Sequence, residues 1–288
     1  MFPAKFDYAA PTSIEEALTL LKQGDGDAKI IAGGHSLLPL MKLRLAQPRL
    51  LIDIGRIPGL SFIRTEGGNV VIGALATYRD ILHSPDVERG APVLAEAAHE
   101  VGDPMVRARG TLAGSLAHGD PAADMPAVVL ALDASVHVIG PDGERDLGVD
   151  NFFVDMLTTQ LGAHEVITRI SAPVRAPGSG AAYQKFDQPA SHYALAGVCA
   201  NITLSGGTIS QARVGVTGVG TKAYRATGVE QALVGKAPTE DAVRSACESA
   251  AAGADVQGDI HASPEYRAHL ARVLARRAVL AAAERAQA

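Results

Sequence analysis

The segment Ala32-Gly33-Gly34-His35-Ser36 sets two glycines between an apolar run and a polar residue that opens the next element. Glycine lets backbone amides approach an anion closely, and a helix N-terminus adds partial positive charge. The segment can therefore hold a phosphate or pyrophosphate. It is equally readable as a plain strand-to-helix turn, because it is neither a Walker-type GK[ST] loop nor GxGxxG. A second run, Gly110-Thr111-Leu112-Ala113-Gly114-Ser115, continues to His118-Gly119-Asp120-Pro121 and carries hydroxyls at residues 111 and 115. Two such segments can clamp one extended dinucleotide from both sides. Taken alone, the second reads first as a packed connector.

Other groups are less specific. Asp120 and Asp124 flank Pro121-Ala122-Ala123. Carboxylates there can accept from ribose or ribityl hydroxyls, or cap the helix expected from Met125, and for Asp124 capping is the plainer reading. His35, His99 and His118 form no HxxxH or HExxH pattern, so a catalytic zinc has no support. Between Tyr183 and Tyr193 fall three of the chain's twelve aromatics, Tyr183, Phe186 and Tyr193. Such rings can stack on a planar cofactor, and Lys185 can place a positive charge near a reduced ring or a phosphate. The alternative is a core hairpin with a solvated lysine. Cys199 and Cys247 read as buried small residues.

The elements that must position these groups alternate at first. Lys5–Tyr8 reads as a strand. Ser13 to Glu16 is a capping box opening a helix that ends near Gly24. Lys29–Ala32 is a strand, Leu37–Arg44 a helix and Leu50–Ile54 a strand. Asn69–Gly73 reads as a strand, 91–101 as a helix, 103–124 as an ordered loop, Met125–Leu132 as an apolar helix and Ser135–Ile139 as a strand. Pro173, Pro177, Gly178 and Gly180 mark a linker. Beyond it, 183–186, 198–204 and 208–219 read as strands, the last two joined by a Ser205-Gly206-Gly207 hairpin. Three helical stretches follow, with Thr239 and Ser263-Pro264 as N-cap signals.

Composition narrows the class. The chain has 288 residues, 47% hydrophobic and 20% charged, which excludes disordered and fibrous classes. Two cysteines far apart exclude a disulfide framework, a cysteine zinc site and an internal iron–sulfur cluster. A net charge of −5 without a basic block argues against nucleic acid or anionic membrane as partner. The N-terminus lacks the pattern of a secretory signal and no apolar run is long enough to span a bilayer, so the expectation is a soluble cytoplasmic protein.

Taken in order, the stretches 29–60 (KIIAGGHSLLPLMKLRLAQPRLLIDIGRIPGL), 70–77 (VVIGALAT) and 107–134 (RARGTLAGSLAHGDPAADMPAVVLALDA) resemble the FAD-binding medium subunit of the xanthine dehydrogenase, or molybdenum hydroxylase, family. Within it the nearest likeness is to the carbon monoxide dehydrogenase type, over essentially the whole chain. The resemblance implies an α+β chain with a p-cresol methylhydroxylase/vanillyl-alcohol oxidase-type FAD-binding fold of two α/β subdomains, 1–57 and 58–174. A C-terminal domain of small antiparallel sheet plus helices, 175–288, would follow. It implies FAD with its pyrophosphate on the paired loops. Ala32, Gly33, Gly34, His35 and Ser36 form the first, and Thr111, Leu112, Ala113, Gly114 and Ser115 the second. Asp124 matches the acidic residue that follows, and Leu161, Lys185 and Tyr193 match positions lining the isoalloxazine.

Two departures stand out. The second loop usually reads TIGGN, so Ala113 and Ser115 replace Gly and Asn, and Ala113 must keep φ below zero or accept strain. The carbon monoxide type also usually carries a basic KLKRK-like run where this chain has Lys185-Phe-Asp-Gln-Pro-Ala-Ser-His192, which argues against assuming carbon monoxide as substrate.

The function so implied is electron transfer in a molybdenum-containing hydroxylase. FAD would take electrons from the [2Fe-2S] clusters of a small partner subunit and pass them to an external acceptor. A large partner would hold the molybdenum cofactor, the whole forming a dimer of heterotrimers, cytoplasmic and peripheral to the inner membrane face through its partners. An autonomous flavin oxidase or reductase, and a scaffold subunit that has lost FAD, are the competing readings.

Overall fold

The first helix shows how local chemistry sets an element. Ser13 accepts the Glu16 amide at 3.2 Å through its hydroxyl and opens α1, Ile14–Gln23. The reciprocal half of the expected box is shifted by one residue, because the Glu16 carboxylate accepts from the Thr12 amide rather than from Ser13. The computed structural model describes residues 2–288. In it α1 covers a three-stranded parallel sheet of β1 (Asp7–Ala9), β2 (Ala28–Ile31) and β3 (Leu50–Asp53), in the order β1-β3-β2. β1 begins later than its sequence suggests. The short helix α2, Leu37–Lys42, sits between β2 and β3.

The middle of the chain builds a five-stranded antiparallel sheet. Its strands are β4 (Ile63–Glu66), β5 (Asn69–Gly73), β6 (Ser135–Gly140), β7 (Gly143–Gly148) and, after a small hairpin of β8 (Phe153–Asp155) and β9 (Thr158–Thr159), β10 (Val166–Pro173). The order is β4-β5-β10-β6-β7. Between β5 and β6 lie α3 (Tyr78–Leu82), α4 (Pro85–Gly90), α5 (Val93–Glu100), α6 (Pro104–Arg107), α7 (Leu112–His118) and α8 (Met125–Leu132). The expected loop over 103–124 therefore contains two helices. Each starts on a side-chain cap, Asp103 for α6 and Thr111 for α7, and these caps overcome the high glycine and alanine content.

The last part is a four-stranded antiparallel sheet, β11 (Ser179–Asp187), β12 (Ala194–Ser205), β13 (Thr208–Thr217) and β14 (Tyr224–Arg225), followed by α9 (Thr227–Leu233), α10 (Glu240–Cys247) and α11 (Pro264–Gln287). Gly206 and Gly207 turn the β12–β13 hairpin with φ of 55° and 78°, the conformation a two-residue turn requires. Gly180 is not linker. It lies in β11, where a Cβ would overlap the Ala282 carbonyl of α11, so the strand and the long helix meet backbone to backbone.

All eight residues of α8 are buried. A helix apolar on every face belongs inside a core, and α8 lies between the middle sheet and β12–β13. At Gly215 of β13 a Cβ would overlap the Ala127 carbonyl of α8. The middle core also takes in Tyr183 and Cys199 from the last sheet and Ala223 just ahead of β14, so the two parts share packing as well as a boundary. No helix among the described residues is long and apolar enough to cross a membrane.

Candidate functional site

The two glycine segments stand against each other. Gly33 follows β2, and a Cβ there would overlap the Arg109 carbonyl and come within 2.9 Å of the Gly110 Cα. Glycine at 33 is thus what lets the first segment lie on the chain that leads into the second. Gly34 has φ of 74°, a left-handed conformation that favours glycine. Among the described residues, the amides of Gly33, Gly34, His35 and Ser36 donate to no protein acceptor. The His35 ring turns back, with Nδ1 3.0 Å from the Gly33 carbonyl, and since that oxygen only accepts, Nδ1 carries the proton. Ser36 takes the N-cap position of α2, but its side chain makes no cap bond.

The second segment is a helix start rather than an open loop. Thr111 accepts the Gly114 amide at 3.0 Å through its hydroxyl and caps α7. Leu112, Ala113, Gly114 and Ser115 form the first turn. Ala113 lies in this helix and is absent from the positive-φ residues, so replacing glycine there brings no backbone strain. The Ser115 hydroxyl faces the buried Tyr78, whose phenol is pushed up by burial while Ser115 pulls the other way. The Tyr78 ring also lies beside Gly110, and its amide donates to the Gly110 carbonyl at 2.9 Å.

The chain from the second segment to α8 is gripped by the last sheet. The Pro121 carbonyl accepts from the Gly218 amide at 2.7 Å and from the Thr217 hydroxyl at 2.8 Å. Ala122 accepts from the Ala194 amide at 3.3 Å, and the Ala123 carbonyl lies 2.7 Å from the Thr217 hydroxyl.

Asp124 completes this seam. It occupies the N-cap position of α8 without a side-chain cap bond, contrary to the capping expectation, because its carboxylate is taken by β11. Tyr183 donates its hydroxyl to Oδ1 at 2.6 Å, and Lys185 Nζ lies 2.9 Å from the same oxygen. Lys185 also donates to the Glu100 carbonyl at 2.8 Å. Burial pushes the Asp124 carboxyl above its ordinary range, with Lys185 and then Tyr183 drawing it back. Lys185 is therefore a buried ion-pair partner and not a solvated lysine.

The remaining expected residues fall in different places. Tyr193 precedes β12 and is half-exposed. Its phenol is raised first by partial burial and then by the Asp120 and Asp124 carboxylates in its neighbourhood. Leu161 follows β9 and packs on the middle core, its amide donating to Thr159 Oγ1 at 3.3 Å. A Cβ at Gly119, the left-handed end of α7, would meet Thr159 Cγ2 at 3.0 Å, which ties the Leu161 hairpin to the second segment. The aromatic cluster does not share one face. Phe186 turns to the other side of β11 and meets Tyr266 edge-on at 6.2 Å, while Tyr183 lies buried under Asp124. The residues missed as site components are Tyr78 and Thr217, while Tyr183, expected as a stacking ring, is instead the hydrogen-bond partner of Asp124. Tyr183 and Lys185 are two apart on a strand and so face one way, the one sequence signal that they share a partner.

The family model described as the FAD binding domain in molybdopterin dehydrogenase matches residues 4–175, and that of the CO dehydrogenase flavoprotein C-terminal domain matches 181–282. This chain belongs to the FAD-binding medium subunits of the molybdenum hydroxylases. The carbon monoxide dehydrogenase medium chain of Hydrogenophaga pseudoflava is 44% identical over 98% of both chains. The nicotine 6-hydroxylase medium subunit of Paenarthrobacter nicotinovorans is 40% identical over 96% of this chain and 97% of its own. Among solved structures, a carbon monoxide dehydrogenase from Hydrogenophaga pseudoflava superposes with a TM-score of 0.96 at 45% identity over 99% of both chains. Quinoline 2-oxidoreductase from Pseudomonas putida 86 does so at 0.94 and 34% over the full length of both. This medium subunit is thus an oxidoreductase component with an FAD-binding domain and a CO dehydrogenase-type C-terminal domain.

Proposed function

We propose that this medium subunit holds FAD between its first two parts, 1–57 and 58–174, with the third, 175–288, closing over the ring. The pyrophosphate lies on Ala32, Gly33, Gly34, His35 and Ser36 from one side and on Thr111, Leu112, Ala113, Gly114 and Ser115 from the other. Asp124, Leu161, Lys185 and Tyr193 border the isoalloxazine. The observation that carries this reading is the pair of apposed segments, because four consecutive amides of the first lack protein acceptors beside the start of the second. Backbone donors of this kind suit an anion that needs several hydrogen bonds at once, so the residues fit the group.

When bound, FAD supplies two-electron redox chemistry and exchanges single electrons. The chain's own residues bind and orient it. Gly33 keeps the segments together, Thr111 fixes the turn of the second, and the Asp124–Lys185 pair sets buried charge at the seam. Electrons arrive from [2Fe-2S] clusters of a small partner subunit and leave to an external acceptor. Substrate chemistry belongs to a large partner with molybdenum cofactor, in a cytoplasmic dimer of heterotrimers. The relatives named above act in carbon monoxide, nicotine and quinoline oxidation. A range this wide is in keeping with a medium subunit that leaves the choice of substrate to its partner.

The test is purification of the native complex with metal analysis. An iron–sulfur chain and a molybdenum chain should co-purify, and full reduction of FAD should require the iron–sulfur chain. Turnover of a small substrate by the isolated FAD-loaded chain would instead establish an autonomous flavoenzyme.

A further inference from the structure

The two oxygens of Asp124 divide its donors: Oδ1 accepts the Tyr183 hydroxyl at 2.6 Å, and the Lys185 ammonium, 2.9 Å from Oδ1, donates to Oδ2 at 3.2 Å. The tyrosine is fixed at both ends. Its backbone amide donates to Glu96 Oε1 at 3.2 Å. Its hydroxyl occupies space that exists because β12 carries glycine at 197, where a Cβ would overlap that hydroxyl and come within 2.9 Å of Thr217 Cγ2. Gly197 is the register partner of Lys185, so the strand that makes room for the phenol is paired to the strand that carries the ammonium. Phenylalanine would fill the same volume, and the hydroxyl adds only the bond to Asp124.

The geometry points to Tyr183 as a positioning residue of the flavin site, one that holds the Asp124 carboxylate and through it the Lys185 ammonium, with Gly197 providing its space. This rests on the reading of Lys185 as a neighbour of the isoalloxazine. Five groups face the carboxylate or lie close to it: Lys185 and Tyr183 from β11, Glu100 at the end of α5, Tyr78 from α3, and Tyr193 ahead of β12. Lys185 is the cation of this set. Without the Tyr183 hydroxyl, the carboxylate loses a donor to its charged form, and its proton affinity rises toward the level that burial imposes.

The experiment uses the FAD-loaded full-length chain with Tyr183→Phe, Gly197→Ala, Lys185→Met and the double variant Tyr183→Phe/Lys185→Met. FAD retained per chain, flavin midpoint potential against pH, and infrared titration of the Asp124 carboxyl, assigned with Asp124→Asn, are measured. Tyr183→Phe should keep FAD at wild-type stoichiometry. It should move upward in pH both the carboxyl titration and the break in the potential curve. Gly197→Ala displaces the hydroxyl instead of deleting it and should move both the same way; it carries the test if Tyr183→Phe does not fold. In the Lys185→Met background, the Tyr183 substitution should no longer move the potential. An unshifted carboxyl titration with an unchanged potential curve overturns the proposal, as does an equal shift in potential with and without Lys185. A shifted carboxyl titration with wild-type potentials in every variant, Lys185→Met included, overturns it by a different route. It removes Lys185 from the flavin's surroundings while leaving the Tyr183–Asp124 bond in place.

Discussion

Asp124 and Lys185 meet at 2.9 Å across the seam between the FAD-binding domain and the last sheet, with side chains only 7% and 2% exposed. A buried pair of this kind is weak evidence for stability in itself, because the desolvation of both ions offsets much of their attraction. Its consequence is asymmetric, since either partner left alone is an uncompensated buried charge.

Lys185→Met keeps the side-chain volume and leaves Asp124 buried without its cation. Loss of about 3–5 kcal/mol is expected, measured by urea unfolding of the FAD-free chain so that cofactor linkage does not enter. The double variant Asp124→Leu/Lys185→Met should recover most of that loss. A single variant as stable as wild type would show that the pair is open to water in solution.

Gly33→Ala tests the apposition of the two segments. The added methyl would overlap the Arg109 carbonyl, backbone against backbone, where no rotamer change gives relief. Overpacking of this kind costs about 1–3 kcal/mol, and as about 1.4 kcal/mol is tenfold in affinity, FAD should bind about ten- to a hundredfold more weakly. Gly148→Ala is the matched control, because a Cβ there meets nothing within 4 Å. Equal FAD affinity in the two variants would detach Gly33 from the site.

How much of this was legible follows from where each signal resides. The β12–β13 turn could be read because its two glycines answer a purely local demand for positive φ. Gly34 answers the same kind of local demand, whereas nothing local shows that Gly33 serves the contact with Arg109. The seam could not be read. Its acceptors are the carbonyls of Pro121 and Ala123, which no side chain advertises, and their donor Thr217 lies 96 and 94 residues away. Asp124 misled for a related reason. Its place before Met125 is the place of a helix cap, and tertiary donors from β11 outcompete the local bond.

Thr217→Val removes the hydroxyl from that seam without changing its shape. Pro121 keeps the Gly218 amide, and the one hydroxyl proton that the Pro121 and Ala123 carbonyls share is lost, so a modest loss of about 1 kcal/mol is expected. The segment between α7 and α8 should also exchange its amide protons faster than in wild type. Unchanged exchange over 120–124 would mean that packing alone holds the segment.

Acid should loosen a different part of the molecule. Glu165, at the start of β10, takes Arg145 of β7 through two bonds of 2.6 and 2.8 Å. The Arg145 guanidinium holds the Glu165 carboxyl below its ordinary value of 4.5, with the Gly162 amide adding to the effect against partial burial. A carboxyl lowered by folding contributes stability that is present above its unfolded value and lost as pH falls through its folded one. Arg145 is half-exposed, so screening limits the contribution to about 1 kcal/mol. Glu165→Gln should therefore be less stable than wild type at neutral pH, and the two unfolding curves should converge once the pH is below the folded carboxyl's range. A difference that persisted undiminished in acid would show that Glu165 acts through packing or its bond to Gly162, and not through its charge.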